Sequence, residues 1–581
     1  MKIFLTVLFI FILAQKAEAQ IANVIWGDEF KMRKGSTDLS VIYADNTGVF
    51  VREGHRALKG YFVIAATTRE SATLIKLDKN LAEVYKSDFN KELKGKEFED
   101  FFFIQNRLFL LASDYNKRER TLTLLAAEIN KADGEMLGDW KELTSWQKDD
   151  KKDNLDFKTS CNADSSKMIV VSTSQGKEKN TYEVKEFDSK MTPLAKTASI
   201  SNEFDPKTFQ LEDVIYTLNG NIVMVGRIYE YEEGKKKKTK NLVFQNYNIR
   251  VYTNTGTLVK EINTDIEARW LVSTKVAQIP NRDIVLAAFY SNTKKGKEIN
   301  GMLVQRIDPT TGLVISTSQK ELNTSMISVL DDAADDDDES KKEKKEREKL
   351  EKIQEDEEGF SKYMRLRNFV YTDDKGLVIL AERYHHYTYT TYSTTSTGAG
   401  IGASIRSTST TYDVYDCGDI MMSKMDAAGN VNWLHVLPKN QSEVVQSGRS
   451  SSGGLGLSFS MGHSYFDNSF NFPYYAGLAS VAVPGKNMVS VIFNDNSKNG
   501  NVLQLGQKVK SISRFGKGEC YAVDMDATTG KYTRSSLFSN NDIPTAMPRL
   551  GVALGKEFYL IGKDDRIFGK TKIAVGKLTF K

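Results

Sequence analysis

The sequence predicts an all-β protein built from repeats of four antiparallel strands. Three observations support this prediction. Apolar and polar residues alternate with period two, as they do in strands that bury one face. A similar segment returns at intervals of roughly 45 to 65 residues. Each return contains a tight turn close to an Asp or Asn, which favours a hairpin between two strands.

The returning segment connects the expected third and fourth strands of each repeat. Five of its seven copies carry a glycine where a short hairpin requires a positive φ. The turns at Asn80–Leu81 and Lys190–Met191 lack this glycine, so we expect them to be longer or strained. The copies are LIKLDKNLAEVY (74–85), AAEINKADGEML (126–137), VKEFDSKMTPLA (184–195), IRVYTNTGTLVK (249–260), VQRIDPTTGLVI (304–315), MSKMDAAGNVNW (422–433) and AVDMDATTGKYT (522–533).

Four-stranded repeats of this length are typical of β-propeller blades. The final repeat lacks a fourth strand, and Val24–Phe30 reads as the strand that completes it. We therefore expect one propeller of eight blades, closed by the N-terminal strand so that no sheet edge stays open. Seven blades, or two smaller β domains, are the alternatives. The predicted blade cores are 39–89, 98–145, 156–200, 209–264, 272–322, 364–440, 474–539 and 547–580.

The third-to-fourth-strand segments resemble the repeat motif of PQQ-like, or quinoprotein-type, propellers, Ala-x-Asp-x-x-x-Gly-x-x-x-Trp. The likeness is carried by AVDMDATTGKYT (522–533), RIDPTTGLVIS (306–316) and MDAAGNVNWLHVL (425–437). Only Trp433 fits the tryptophan position well, and Trp140 fits it approximately. The resemblance implies the fold rather than a function. The vicinal cysteines of quinoprotein dehydrogenases are absent from the sequence, so we expect no PQQ and no other cofactor.

Composition excludes several classes of protein. The chain has 581 residues, of which 40% are hydrophobic and 27% are charged, and its net charge is only +4. This balance is that of a globular protein, and it offers no general basic field for nucleic acid. The three cysteines are Cys161, Cys417 and Cys520. They permit one disulfide at most, with Cys417–Cys520 as the candidate pair, although buried thiols are the simpler reading.

The N-terminus reads as a secretory signal peptide. Lys2 precedes an apolar run from Ile3 to Leu13, and Ala17-Glu18-Ala19 has the form of a cleavage site. The run is too short to span a membrane as a helix, and no later segment is apolar enough to do so. We therefore expect residues 1–19 to be removed and the mature chain to be exported to the periplasm, the outside or the cell surface.

The long insertions are expected on one face of the propeller. Connections between second and third strands, and between one blade and the next, leave the same end of the sheets. Segment 323–363 is acidic at first and then rich in Lys and Glu at helical spacing, which predicts an exposed helix. Segment 385–417 predicts an extended hairpin, since Thr and Tyr favour strands. The other insertions are 230–238, 441–473 and 494–518, the last of which carries Lys508, Lys510, Arg514 and Lys517.

These insertions suggest a non-catalytic protein that binds an envelope protein or a surface glycan. Aromatic loop residues supply contact area at low entropic cost. Adjacent His385 and His386 would point to opposite faces of a strand, which argues against a metal site. The expected binding residues are Tyr387, Tyr389, Tyr392, Tyr465, Phe466, Phe470 and Phe472.

The alternative function is a polysaccharide hydrolase or lyase. Such an enzyme needs two or three carboxylates that converge at the central channel. Asp45, Asp213 and Asp373 are the candidates, since they lie near the predicted inner strands of three blades. Aspartates at such positions also cap turns, so their convergence decides between the two functions.

Overall fold

A computed structural model describes the parts of the chain that carry the repeats. The expected helix at 323–363, except for Tyr363, and the expected signal peptide lie outside the described residues. The described ranges are 22–31, 36–59, 67–162, 164–202, 205–233, 240–263, 270–278, 283–293, 299–322, 363–397, 404–446, 473–504, 507–563 and 572–580.

The strands of these ranges form antiparallel sheets of four strands or more, in chain order. After β1 (Ala22–Trp26) and β2 (Phe30–Lys31), sheet 1 contains β3 (Ser36–Asp45), β4 (Gly48–Lys59), β5 (Thr67–Leu77) and β6 (Glu83–Asp88). Sheet 2 contains β7 (Glu97–Ile104), β8 (Arg107–Asn116), β9 (Thr121–Ile129) and β10 (Met136–Gln147). Sheet 3 contains β11 (Asn154–Cys161), β12 (Lys167–Gln175), β13 (Asn180–Asp188) and β14 (Pro193–Asn202). Sheet 4 contains β15 (Phe209–Tyr216), β16 (Ile222–Glu233), β17 (Lys240–Tyr252) and β18 (Leu258–Asn263).

The second half of the chain repeats this order. Sheet 5 contains β19 (Trp270–Gln278), β20 (Ile284–Ser291), β21 (Gly301–Ile307) and β22 (Val314–Glu321). Sheet 6 contains β23 (Met364–Tyr371), β24 (Leu377–Thr397), β25 (Ser404–Met425), β26 (Val431–Leu437) and the added β27 (Gln441–Gln446). Sheet 7 contains β28 (Leu478–Ala482), β29 (Met488–Asp495), β30 (Glu519–Asp526) and β31 (Tyr532–Ser539). Sheet 8 contains β32 (Thr545–Ala546), β33 (Val552–Leu554), β34 (Glu557–Lys563) and β35 (Lys572–Phe580), together with β1 and β2.

Helical structure is minor in this part of the chain. The described helices are three 3-10 turns, at Ser497–Asn499, Phe515–Lys517 and Pro548–Leu550. No helix among the described residues is long and apolar enough to cross a membrane. The all-β prediction is therefore confirmed for the described ranges.

The first strand of the chain completes the last sheet. Strand β1 pairs with β35 in antiparallel register from Ala22 opposite Phe580 to Trp26 opposite Gly576. Each sheet contacts the next along the chain, and β3 of sheet 1 contacts β33 and β34 of sheet 8. The prediction that the N-terminal segment supplies the missing strand is confirmed, and the sheets do not separate into two unconnected groups.

A repeated contact joins the neighbouring sheets. The turn between the third and fourth strands of one sheet lies against the fourth strand of the preceding sheet. Where Trp433 fills the tryptophan position, its Nε1 donates to the main-chain oxygen of Ala527 at 3.2 Å. Elsewhere other residues make the contact, so this docking does not require tryptophan. The pairs are Leu81 with Gly27, Gly134 with Tyr85, Lys190 with Lys141, Gly256 with Ala198, Gly312 with Lys260, Gly429 with Ser316 and Gly530 with Trp433.

The two turns without glycine are strained rather than long. Leu81 has a φ of 65° and Met191 has a φ of 58°, a conformation that disfavours side chains other than glycine. Each has the same closing hydrogen bond across five residues as the glycine turn at Asp426–Asn430. Both side chains are buried, so packing offsets the backbone strain.

The cysteines remain unpaired. Cys417 and Cys520 are buried thiols, and Cys161 is a partly buried one. Cys417 packs in the cluster that contains Tyr415 and Phe515, whereas Cys520 packs between sheets 7 and 8 beside Leu560. The alternative of a Cys417–Cys520 disulfide is wrong, because the two side chains belong to different parts of the core.

Substitutions in β1 test the closure of sheet 8. Trp26 packs edge-on against Phe538 at 5.4 Å and lies over Gly562 and Gly576. We expect Trp26→Ala to lower the free energy of unfolding by about 3 kcal/mol, since it removes a large packed ring. Ile25→Ala, on the exposed side of the same strand, should cost less than about 0.5 kcal/mol. Thermal melts of both variants check this, and equal effects would contradict it.

Candidate functional site

A long hairpin extends beyond sheet 6. Strands β24 and β25 have 21 and 22 residues, and the pairing of β23 with β24 ends at Arg383. Beyond this point β24 pairs with β25 as far as Thr397 opposite Ser404, and β27 pairs with β25 on its other side. The extended hairpin predicted at 385–417 is therefore present. We call residues 384–397, 404–417 and 441–446 the ribbon.

One face of the ribbon carries a row of aromatic rings. His385, Tyr387 and Tyr389 alternate along β24, and Tyr389 lies opposite Tyr412 of β25. The ring of Tyr363 is 4.1 Å from that of His385, and His385 is 5.0 Å from Tyr387. Tyr389 and Tyr412 stack at 5.1 Å with an interplanar angle of 17°. These five rings, which we call the aromatic row, are all partly exposed.

The base of the opposite face of the ribbon packs against the core. Tyr384, Tyr415 and Cys417 are buried in one cluster with Phe515 and Met547. This cluster also contains residues of sheets 1 and 8 and of the connections before β28 and after β29 in sheet 7. The base of the ribbon therefore packs against sheets other than its own. Its buried side thereby fixes the direction of its exposed side.

A histidine and an aspartate meet at the edge of this buried face. His386 Nε2 is 2.9 Å from Asp413 Oδ1, and the imidazole stacks on Tyr415 at 4.5 Å. His385 lies on the aromatic face instead, so the two adjacent histidines point to opposite faces as the sequence predicts. Among the described residues, no three His, Cys, Asp or Glu side chains are grouped as a metal site would require.

Buried charges hold the base of the ribbon. Glu382 is 1% exposed and accepts hydrogen bonds from Arg367 Nε at 2.8 Å and Lys439 Nζ at 2.5 Å. Burial would raise the pKa of Glu382, but Lys439 and Arg367 outweigh it, so the pKa lies below its ordinary value. Lys439 is also fully buried and donates to Gln441 Oε1 at 2.6 Å. These contacts tie β24 to the start of β27.

Hydrogen bonds of buried amides and of a buried carboxylate link the base of the ribbon to sheets 7 and 8. Gln441 donates to the main-chain oxygen of Asn494 at 2.6 Å. The side-chain amide of Asn494 in turn donates to the main-chain oxygens of Tyr475 and Ala546. Glu443 accepts hydrogen bonds from the backbone amides of residues 474–476 at 2.7 to 2.8 Å. Three sheets therefore share one network beneath the ribbon.

The structure describes the side chains of only some of the expected binding residues. Tyr387 and Tyr389 belong to the aromatic row. Tyr392 lies on β24, but its side chain is outside the described residues. Sequence reasoning missed Tyr363 and Tyr412, although folding the hairpin about its glycine-rich centre would have brought Tyr412 beside Tyr389. The remaining expected residues lie outside the described ranges; they are Tyr465, Phe466, Phe470 and Phe472.

The three candidate catalytic aspartates have separate local environments. Asp45 accepts from Lys131 Nζ at 2.6 Å and from the Thr47 amide at 2.7 Å, which stabilises a turn. Asp213 accepts the amide of Val214 at 2.5 Å on β15. Asp373 is exposed in the turn between β23 and β24. The contacts of Asp45 are those of a residue that stabilises a turn.

Comparisons with known proteins assign no family. No family model matches the chain, and no curated protein matches it. The β-propeller domain of the Trilobed protease from Pyrococcus furiosus is similar at 10% identity and a TM-score of 0.29, over 87% of this chain and 97% of that one. Prolyl oligopeptidase B from Galerina marginata is similar at 11% identity and a TM-score of 0.27, over 59% of this chain. The aligned part is only 38% of that longer chain.

A GH43 endo-arabinanase from Bacillus licheniformis is also similar. The two chains are 12% identical with a TM-score of 0.23, over 51% of this chain and 97% of that one. Scores this low carry no weight for function. The fold is therefore defined by the strand pairing of the chain itself.

The buried carboxylate predicts a dependence of stability on pH. Because the folded-state pKa of Glu382 is lowered, its contribution is complete above the unfolded-state value of about 4.3 and is lost as pH falls through the folded-state pKa. At pH 7 we expect Glu382→Gln to cost about 3 kcal/mol, since it leaves the buried Lys439 and the partly buried Arg367 without their negative partner.

Thermal melts between pH 3 and pH 7 measure this effect. The difference in melting temperature between the wild type and Glu382→Gln should become smaller as the pH approaches 3. The exposed Glu119 provides the control Glu119→Gln, which should show little difference at any pH. A constant deficit for Glu382→Gln down to pH 3 would contradict the ion-pair account.

Proposed function

We propose that this chain is an exported, non-catalytic β-propeller of eight blades that binds a protein or glycan partner through the ribbon. The proposal depends on the aromatic row, which lies on a ribbon whose other face is buried at its base. Export rests on the signal-peptide pattern of residues 1–19, and the blade number rests on sheets 1 to 8 and the pairing of β1 with β35.

The order of the ribbon supports a role in binding. Aromatic side chains contribute large contact areas, and they bind best when their conformation is fixed in advance. Tyr389 and Tyr412 are held against each other across two strands, and His385 is held between Tyr363 and Tyr387. A partner therefore meets rings that need little further ordering.

The surroundings of the aromatic row favour a glycan over a protein. Asp416 lies opposite His385 on the same face and accepts from Ser442 Oγ at 2.7 Å. Flat rings with polar groups beside them suit sugars, which offer apolar ring faces and hydroxyl groups together. Burial raises the pKa of Tyr387 well above its ordinary value, so its phenol stays neutral.

Removal of two tyrosines tests the proposal. We expect Tyr387→Ala combined with Tyr389→Ala to weaken binding by about thirtyfold or more, because a single central aromatic residue contributes about 2 kcal/mol at an interface. The measurement is a glycan array probed with residues 20–581, followed by calorimetry on each glycan that binds.

The matched control uses exposed tyrosines on other sheets. Tyr115 and Tyr231 are 42% and 45% exposed, and Tyr115→Ala combined with Tyr231→Ala should leave binding unchanged. Equal losses in both double variants, or unchanged affinity without Tyr387 and Tyr389, would show that the aromatic row is not the binding surface.

A further inference from the structure

The connection between β29 and β30 is strongly basic. Residues 496–518, which we call the basic loop, contain no Asp or Glu. The loop lies at the same end of the sheets as the ribbon, since both arise between second and third strands. It carries five basic residues, Lys498, Lys508, Lys510, Arg514 and Lys517, and all of these except Lys510 are exposed.

The described backbone of the basic loop is held by buried contacts. Asn499 is fully buried and donates to Asp495 Oδ1 at 2.8 Å and to the main-chain oxygen of Lys510 at 2.7 Å. Asn499 Oδ1 accepts the amide of Lys510. Phe515 is buried, and its main-chain oxygen accepts from Asn540. The backbone that carries the cationic side chains is therefore anchored at residues 499, 510 and 515.

Two carboxylates near the basic loop, Asp495 and Glu443, are engaged by other groups. Asp495 is buried and accepts from Arg534 at 2.7 Å as well as from Asn499. Glu443 accepts three backbone amides of residues 474–476, and burial raises its pKa despite these hydrogen bonds. Both carboxylates are buried and accept hydrogen bonds from neighbouring groups. They therefore add little negative charge at the surface of the loop.

The basic loop adjoins the ribbon directly. Ile512 lies beside Gln441 in a parallel bridge. The amide of Ser442 donates to the oxygen of Ile512 at 3.0 Å, and the amide of Ile512 donates to the oxygen of Asn440 at 3.1 Å. Residue 512 thus extends the ribbon by one position beyond β27. Across the ribbon the order is β24, β25, β27 and then Ile512. Since neighbouring strands are about 4.8 Å apart, Ile512 lies about 14 Å from β24.

We infer that the basic loop and the ribbon form one surface for an acidic polysaccharide, a polymer of sugars that carry carboxylate groups. The inference rests on the proposed function and deepens it by naming the class of ligand. Rings of the aromatic row contact the sugars, and the cations of the loop interact with the carboxylates. Exposed ion pairs are screened by salt, so the affinity falls as ionic strength rises.

Charge reversal tests the inference with defined probes. We expect residues 20–581 to bind polygalacturonate more tightly than neutral amylose of similar length, with an affinity that falls steeply with added NaCl. Lys498→Glu, Lys508→Glu and Lys517→Glu combined should weaken polygalacturonate binding at least tenfold and flatten the salt dependence. Thermal melts confirm that the variant folds.

The matched control changes the net charge equally at the other end of the sheets. Lys79, Lys190 and Lys531 are exposed in or beside third-to-fourth-strand turns, and Lys79→Glu, Lys190→Glu and Lys531→Glu combined should leave the affinity unchanged. Equal losses in both triple variants would overturn the inference, since net charge alone would then explain them. Equal binding of a thymidine oligonucleotide of the same charge would also overturn it.

The tyrosine variant separates this inference from the proposed function. Loss of polygalacturonate binding in both the tyrosine and the loop variants supports both. Loss only without Tyr387 and Tyr389 overturns the role of the basic loop and leaves the proposed function standing. Loss only in the loop variant overturns the shared surface. Failure of the wild type to bind any acidic polysaccharide overturns the inference, while binding of neutral glycans would still support the proposed function.

Discussion

The turn between the third and fourth strands of each sheet packs against the preceding sheet, and this repeated contact determines how the sheets are arranged. It recurs from Leu81 against Gly27 to Gly530 against Trp433. Because the first of these contacts involves Gly27, which directly follows β1, and β1 pairs with β35, the series connects the two ends of the chain. Sheets held in this way leave their second-to-third connections at one common end. The ribbon and the basic loop are neighbours as a consequence.

The ribbon shows how buried charge can specify a conformation. Burying Glu382, Lys439 and Arg534 opposes folding through desolvation, and the structure compensates by pairing each with an opposite charge. Apolar residues could fill the same space, but they would not fix the direction of a strand in the same way. Here the hydrogen bonds of Lys439 and Gln441 determine where β27 begins beside β25.

Much of the fold could be predicted from local pattern alone. Alternation with period two placed most strands, and the missing glycines at Leu81 and Met191 indicated strain, because φ preferences are a property of single residues. The missing fourth strand pointed to Val24–Phe30, since the final repeat was visibly incomplete. The docking of turns without tryptophan was not predicted, because a contact through main-chain oxygens leaves no residue type to recognise.

The candidate site was predicted only in part. Tyr387 and Tyr389 were found because their strand propensity and spacing are local. The network of Glu382, Lys439 and Gln441 joins residues up to 59 positions apart in sequence, and nothing in one chain marks such partners. The contact between Ile512 and Ser442 could not be predicted either, since it depends on how sheets 6 and 7 pack together.

An engineered disulfide between the chain ends tests whether the N-terminal strand closes the last sheet. Asn23 lies opposite Thr579 in the pairing of β1 with β35, and directly opposed Cβ atoms are near disulfide distance. We predict that Asn23→Cys with Thr579→Cys oxidises readily and raises the melting temperature, since the bond closes a very long loop and contributes about 4 kcal/mol or more. Asn23→Cys with Lys577→Cys, two residues out of register, should bridge poorly. Failure of the in-register pair to form, or a bond without any gain in stability, would contradict closure by the N-terminal strand.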